Sequence, residues 1–132
     1  MTCELNITYK SVFCYVAFDN KKMKDTEIIT VANEKGIRVI RVVSLLAITV
    51  EDYICTFYIE NGEEFSCTQS MKEVERLLPG YFCRISRSTT INVRKIKTVE
   101  LKQKKIELVS GHTFAYSRRN AKLIKEKLNG TR

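Results

Sequence analysis

The sequence predicts a mainly β fold of antiparallel sheets with two short helices. Short apolar and β-branched runs recur from residue 27 onward, and turn-forming pairs such as Asn61-Gly62 separate them. Helical periodicity is confined to two stretches, 70–78 and 117–128. Since strands do not alternate with helices, a doubly wound parallel sheet is disfavoured. We therefore expect antiparallel sheets with the helices packed on one side.

The first half of the chain contains two predicted hairpins. Runs 27–32 and 37–43 flank the turn 33–36, and a short strand follows at 47–50. Strand 53–59 precedes Asn61-Gly62, a pair that tolerates the positive φ angles of a tight turn. The return strand is 64–68. Alternation predicts that one face of strand 53–59 carries Tyr53, Cys55, Phe57 and Ile59.

The second half begins with a helix and ends with one. Ser70 and Glu73 fit a capping box, and Pro79-Gly80 ends the first helix. We expect an irregular basic segment over 82–95, then hairpin strands 97–101 and 106–109 and a short strand 113–116. Ser117 is the expected cap of a final helix that runs to residue 128.

The length of 132 residues fits one domain. We divide it into a leader over 1–25, in which 11–18 is compatible with an extra strand, and a domain over 26–132. Hydrophobic residues at 44% and charged residues at 29% indicate a globular protein. No apolar run approaches the ~20 residues of a membrane span, and the start lacks a secretory signal. We expect a cytoplasmic protein with no membrane partner.

Positive charge is concentrated towards the end of the chain. The formal net charge is +8, but residues 1–79 carry −3 and residues 80–132 carry +11. Such segregation favours a surface that binds a polyanion, although a solvated basic face is the plainer alternative.

Enzyme chemistry finds no support in the sequence. The chain has no P-loop, GxGxxG, HExxH or GxSxG motif, and its single histidine, His112, follows a turn glycine as a solvated loop residue would. The five cysteines lack metal-ligand spacing, so we expect reduced thiols, with Cys55, Cys67 and Cys83 in the core. No catalytic residue, metal or cofactor is predicted.

Two basic clusters are candidate phosphate or base contacts. Segment 84–88 carries two arginines and two serines, side chains that bind phosphate or guanine. Segment 117–120 places Arg118 and Arg119 at a helix start, where cations oppose the helix dipole unless an anion lies close. Solvated surface charge remains the alternative for both clusters.

Segment 82–92, FCRISRSTTIN, resembles the F-x-R-[VI]-H-[RK]-S-x-x-[VI]-N signature of the LytTR DNA-binding domain. The preceding helix, Ile96, the turn at Gly111 and the closing "G…SRR…L" pattern follow in the family's order. The resemblance covers about residues 27–128.

The resemblance implies an elongated fold of small antiparallel sheets that places loops, not a recognition helix, into successive major grooves of promoter DNA. One contact loop would lie at 52–54, a second at 86–88 and a third at Arg118 and Arg119, of which Arg119 is our main candidate for a base edge. The implied DNA-binding residues are Tyr53, Ile54, Arg84, Ser86, Arg87, Ser88, Asn92, Ser117, Arg118, Arg119 and Lys122. Among these, Arg84, Asn92 and Lys122 are candidates for phosphate contact or for holding the loops.

Two departures from the family pattern have consequences. Ser86 stands where the family usually has histidine, so a contact made by that imidazole would be lost or reshaped. A leader of 25 residues is too short for the phospho-receiver domain that often precedes such domains, so input would come through the leader, oligomerisation or a separate sensor protein.

The sequence thus predicts a small, non-enzymatic, cytoplasmic bacterial regulator that binds double-stranded promoter DNA at direct repeats, as a homodimer on DNA. Two alternatives stay open. The aromatic pair Tyr81 and Phe82 beside basic residues would suit an RNA-binding β domain. A protein-interaction module without DNA binding would instead use the leader strand as its docking edge.

Overall fold

A computed structural model describes residues 14–15 and 28–131. Within these residues the chain forms three antiparallel sheets, two α-helices and four short 3-10 turns. The strands and helices are β1 (Cys14–Tyr15), β2 (Ile28–Asn33), β3 (Gly36–Arg41), β4 (Leu45–Glu51), β5 (Ile54–Ile59), β6 (Glu63–Thr68), α1 (Met71–Leu77), β7 (Phe82–Ser86), β8 (Thr89–Asn92), β9 (Ile96–Glu100), β10 (Lys105–Leu108), β11 (Thr113–Ala115) and α2 (Ala121–Thr131).

The N-terminal sheet has the order β1-β2-β3 and contains the first predicted hairpin. Asn33 shapes its turn, since the side-chain oxygen accepts hydrogen bonds from the backbone N–H of Lys35 at 2.8 Å and of Gly36 at 3.2 Å. Strand β1 pairs with β2. The remainder of the predicted strand 11–18 and the connector 19–25 lie outside the described residues.

The central sheet has five strands in the order β6-β5-β4-β8-β7. Its β5–β6 hairpin turns at Asn61 and Gly62 with φ angles of 75° and 78°, which confirms the prediction from this pair. The inward face of β5 holds Cys55, Phe57 and Ile59 as expected. Tyr53 is a correction, because it lies in the preceding turn, 79% exposed, instead of on that face.

The expectation of an irregular segment over 82–95 is wrong, because most of it forms the hairpin β7–β8. Strand β8 lies between two neighbours and is buried throughout, although three of its four residues are polar. Thr90 donates to the Met71 sulfur at 3.2 Å, and Asn92 donates to the Leu45 carbonyl at 3.0 Å. Polar residues do not indicate a buried strand in a sequence, so the central strand was missed. They can be buried here because their hydrogen bonds offset the cost of burial.

The helices pack on opposite faces of the central sheet, which corrects the expectation of one side. Helix α1 packs with β2, β3 and β5 in one apolar cluster, and Ser70 caps it by accepting from the Glu73 N–H. Helix α2 packs with β7, β8 and β10 in a second cluster through Ile124 and Leu128. Neighbouring residues of β4 divide between the clusters, so the central sheet is covered on both faces.

The last sheet has the order β11-β10-β9 and precedes the C-terminal helix. A 3-10 turn, Arg118–Asn120, separates the two, so the α-helix begins at Ala121 and not after Ser117. Neither helix in the described part of the chain is long and apolar enough to cross a lipid bilayer.

Candidate nucleic-acid interface

The β4–β5 turn is a two-residue hairpin turn in a strained conformation. Glu51 pairs with Ile54, and Asp52 and Tyr53 between them have φ angles of 50° and 69°. A turn with two positive φ angles matches the twist of the strands it joins, but a tyrosine there costs energy. Tyr53 and Ile54 are both exposed. The fold therefore holds apolar side chains out in solvent at this turn.

The β7–β8 turn places Arg87 and Ser88 at its tip, and Arg84 holds it in shape. The Arg84 guanidinium donates to the carbonyl oxygen of Ser86 at 3.2 Å and of Arg87 at 2.6 Å, and it forms an ion pair with Glu75 at 3.2 Å. The Ser86 hydroxyl accepts from the Ser88 N–H at 3.3 Å. Arg84 and Ser86 thus act on the turn itself, while the Arg87 side chain is exposed.

The 3-10 turn Arg118–Asn120 is joined to the β7–β8 hairpin by two hydrogen bonds. The Ser117 N–H donates to the Ile85 carbonyl, and the Asn120 side chain donates to the Arg84 carbonyl, both at 2.9 Å. The Ser117 hydroxyl donates to the Asn120 side-chain oxygen. These bonds fix the turn that presents Arg118 and Arg119, both of which are exposed.

The three turns lie side by side at one end of the central sheet. The Val50 N–H donates to the Ser88 carbonyl at 2.9 Å, which joins the β4–β5 turn to the β7–β8 turn, and Ser117 joins the latter to the 3-10 turn. We call this surface the loop rim; it comprises Asp52 and Tyr53, Arg87 and Ser88, and Arg118–Asn120. Segments distant in sequence thus meet at one edge, as the resemblance implies.

The arginines of the loop rim carry uncompensated charge. Among the residues that the structure describes, the side chains of Arg87, Arg118 and Arg119 form no ion pair or hydrogen bond. Lys122, exposed on the first turn of α2, also has no such partner there. Exposed guanidinium groups without an internal partner are available to an external anion.

Asn92 is the predicted site residue that the structure places away from the loop rim. It lies at the far end of β8 and is buried, and its side chain donates to Leu45 and accepts from the Arg94 N–H at 2.9 Å. Asn92 therefore has a structural role in the fold. Sequence reasoning did not identify two residues that position the rim, Glu75 and Asn120; the spacing Ser117-x-x-Asn120 was the available indication for the second.

The cysteines and the histidine are packing residues. Cys55, Cys67 and Cys83 are buried in the core, as predicted, and burial raises the pKa of the Cys83 thiol. His112 is half-buried with its ring 5.2 Å from that of Tyr58, so it is not the solvated loop residue we expected. Within the described ranges, no three His, Cys, Asp or Glu side chains are grouped to bind a metal.

The rings of Tyr81 and Phe82 are also part of the core. Both are buried, with their centroids 5.2 Å apart, and Arg94 covers the Tyr81 ring at 3.9 Å. Neither ring offers an exposed face to a base, so the observation behind the RNA-binding alternative does not hold.

Comparison with known proteins agrees with this geometry. The model of the LytTr DNA-binding domain family matches residues 35–129. Among solved structures, the LytTr DNA-binding domain of a methyl-accepting/DNA response regulator from Bacillus cereus superposes with a TM-score of 0.68 at 21% identity. The alignment covers 76% of this chain and 95% of that one, and at this identity it shows a common fold. No curated protein matches. Because the family model covers well over half of its length, the chain belongs to the LytTr family of DNA-binding domains.

Proposed function

We propose that the protein is a sequence-specific transcriptional regulator that inserts the turns of the loop rim into the major groove of promoter DNA. The observation that carries this proposal is the adjacency of three turns that present Arg87, Arg118 and Arg119 without internal partners. Arginine can donate two parallel hydrogen bonds to guanine, and the same group binds phosphate.

The roles within the rim combine its geometry with the family resemblance. Arg87 and Arg119 contact base edges: both lie on turns held by hydrogen bonds, and the resemblance selects Arg119 over Arg118. Arg118, Lys122 and the serine hydroxyls contact phosphates and set the position of the domain. Two copies bind direct repeats, and a separate sensor protein supplies the input signal.

The test begins with selection of bound oligonucleotides from a random duplex pool, followed by binding measurements on the selected site. We expect Arg119→Ala to lose about 1–3 kcal/mol on that site and much less on unrelated duplex. Arg41→Ala is the matched control. Arg41 is exposed at the end of β3, a short 3-10 turn before β4, and the seven residues of β4 place it about 20 Å from the rim.

An equal loss of affinity on selected and unrelated DNA would reduce Arg119 to a phosphate contact. Failure to enrich any duplex sequence would contradict sequence-specific binding altogether. In that case the protein-interaction alternative becomes the leading one.

A further inference from the structure

The tip of the β9–β10 hairpin, defined as the turn 101–104 with the first residue of β10, Lys105, lies next to the loop rim, and no sequence motif indicated it. The Tyr116 N–H donates to the Lys104 carbonyl at 3.0 Å, and the Tyr116 hydroxyl donates to the Glu100 carbonyl at 3.3 Å. The next residue, Ser117, bonds to Ile85 of the β7–β8 hairpin. The turn Arg118–Asn120 is therefore flanked by the β7–β8 turn on one side and by this tip on the other.

The tip carries three lysines in four residues. Lys102 and Lys105 are exposed and Lys104 is half-buried. None of the three side chains forms an ion pair or hydrogen bond with any residue in the described ranges. Lys95, by contrast, forms an ion pair with Glu60 at 2.6 Å. Glu100 lies opposite Lys105 in the β9–β10 ladder and offsets part of this charge, but none of the three lysines is held in an ion pair there.

The tip is also held in one shape. The Glu100 carboxylate, the nearest acid in sequence, accepts from the Gln103 N–H at 2.6 Å, and Lys104 adopts a positive φ of 54°. Together with the bond from Tyr116, these features fix the backbone from which the lysines extend. Lysine is a mobile point charge and suits phosphates better than base edges.

Charge is distributed unequally along the row of turns. The β4–β5 turn at one end carries the exposed acids Glu51 and Asp52, whereas the β9–β10 tip at the other end carries the lysines. The electrostatic attraction of a duplex to this row of turns is therefore weaker at the first end than at the second. The lysines extend the basic surface at the second end only.

We propose that the β9–β10 tip is a fourth DNA-contact element, in which Lys102, Lys104 and Lys105 bind backbone phosphates beyond the base pairs reached by the loop rim. This inference rests on the proposed function, since it needs a duplex on the rim. The tip lengthens the contact on one side and so fixes the direction in which the domain lies on DNA.

The test compares two double variants on the selected site and on unrelated duplex. In K102A/K105A, two phosphate contacts are lost, so the slope of log affinity against log salt becomes shallower by about 1.8. The loss of affinity is then about tenfold smaller at 200 mM than at 50 mM salt, and it is equal on both DNAs. Lys104 is kept because its side chain is half-buried.

The control R41A/K97A removes the same charge from exposed positions away from the rim. Lys97 is exposed near the start of β9, two residues after Lys95, whose ion pair with Glu60 places it at the end of the central sheet opposite the rim. We expect this control to keep the wild-type slope, and K102R/K105R to keep it as well. The hydroxyl-radical footprint of K102A/K105A should be shorter than that of the wild-type protein, and at one end of the site. The control should keep the wild-type footprint.

Three results would overturn the inference. A wild-type salt slope and footprint in K102A/K105A, with intact DNA binding, would refute the fourth contact alone. A greater loss on the selected site than on unrelated duplex would show that the lysines contact bases and not phosphates. Absence of DNA binding by the wild-type protein would instead refute the proposed function itself.

Discussion

At the scale of single residues, two arginines three positions apart have different roles. The Arg84 guanidinium donates to two backbone carbonyls and to Glu75, whereas the Arg87 side chain has no internal partner in the described part of the chain. The sequence places both arginines in one basic segment and does not indicate that their roles differ. Partners decide the difference, since the three bonds of Arg84 hold neighbouring groups in place, whereas the guanidinium donors of Arg87 are available to an external ligand.

We expect Arg84→Ala to lower the free energy of unfolding by about 1–2 kcal/mol, because three hydrogen bonds from a partly exposed charged donor are lost. Specific DNA binding should also fall, since the Arg87 turn loses its support. Urea unfolding and binding to the selected site measure the two effects.

Arg84→Lys separates positioning from simple charge. Lysine keeps the charge but cannot reach three acceptors with a planar fork. We expect it to restore little of the specific binding. Full restoration would mean that Arg84 contacts a phosphate directly.

At the scale of elements, the β4–β5 turn exposes an aromatic ring on a residue whose positive φ lowers the stability of the fold. Tyr53 sits at φ 69° and is held by a hydrogen bond from the Gln69 N–H to its carbonyl at 3.3 Å. Strained residues often cluster at functional sites. The family resemblance predicted a DNA-contact loop at this turn, and that role stays a prediction; the positive φ and the exposure of Tyr53 appeared only in the structure.

We expect Tyr53→Gly to be more stable than Tyr53→Ala by about 1 kcal/mol, because glycine adopts positive φ without the β-carbon clash. Both variants lack the ring, so both should lose the same specific DNA affinity. Thermal unfolding and binding assays on the pair test this directly. Equal stability of the two variants would show that the turn is unstrained.

The hairpin β7–β8 shows the limit of pattern reasoning for an element. Alternation fails along Thr89, Thr90 and Asn92 because each polar residue lies inside the sheet. Burial there depends on β4 and α1, which supply acceptors from 19 to 47 residues away. No local pattern records such partners.

At the scale of the whole molecule, the surplus of positive charge predicts a strong salt effect on binding. If the rim and its neighbours neutralise six phosphates, the slope of log affinity against log salt is about −5. A titration from 50 to 200 mM salt measures it, with Arg41→Ala as a control that keeps the slope. A flat response would contradict duplex binding by this surface.

The charge distribution, the β texture and the ordered family signature were all readable from the chain, because each depends on residue type and local spacing. They predicted a mainly β domain of the LytTr family, and the family model and the fold agree. They also selected the three turns that carry Tyr53, Arg87 and Arg119.

Tertiary structure alone decided which basic residues remain open. It placed helices on both faces of the central sheet, buried Asn92, Tyr81 and Phe82, and brought the β9–β10 tip beside the rim. The physical reason is that the hydrogen-bond partners of a basic side chain come from segments far apart in sequence, which strand pairing brings together. Pairing therefore fixes which side-chain donors are bonded within the protein and which face solvent.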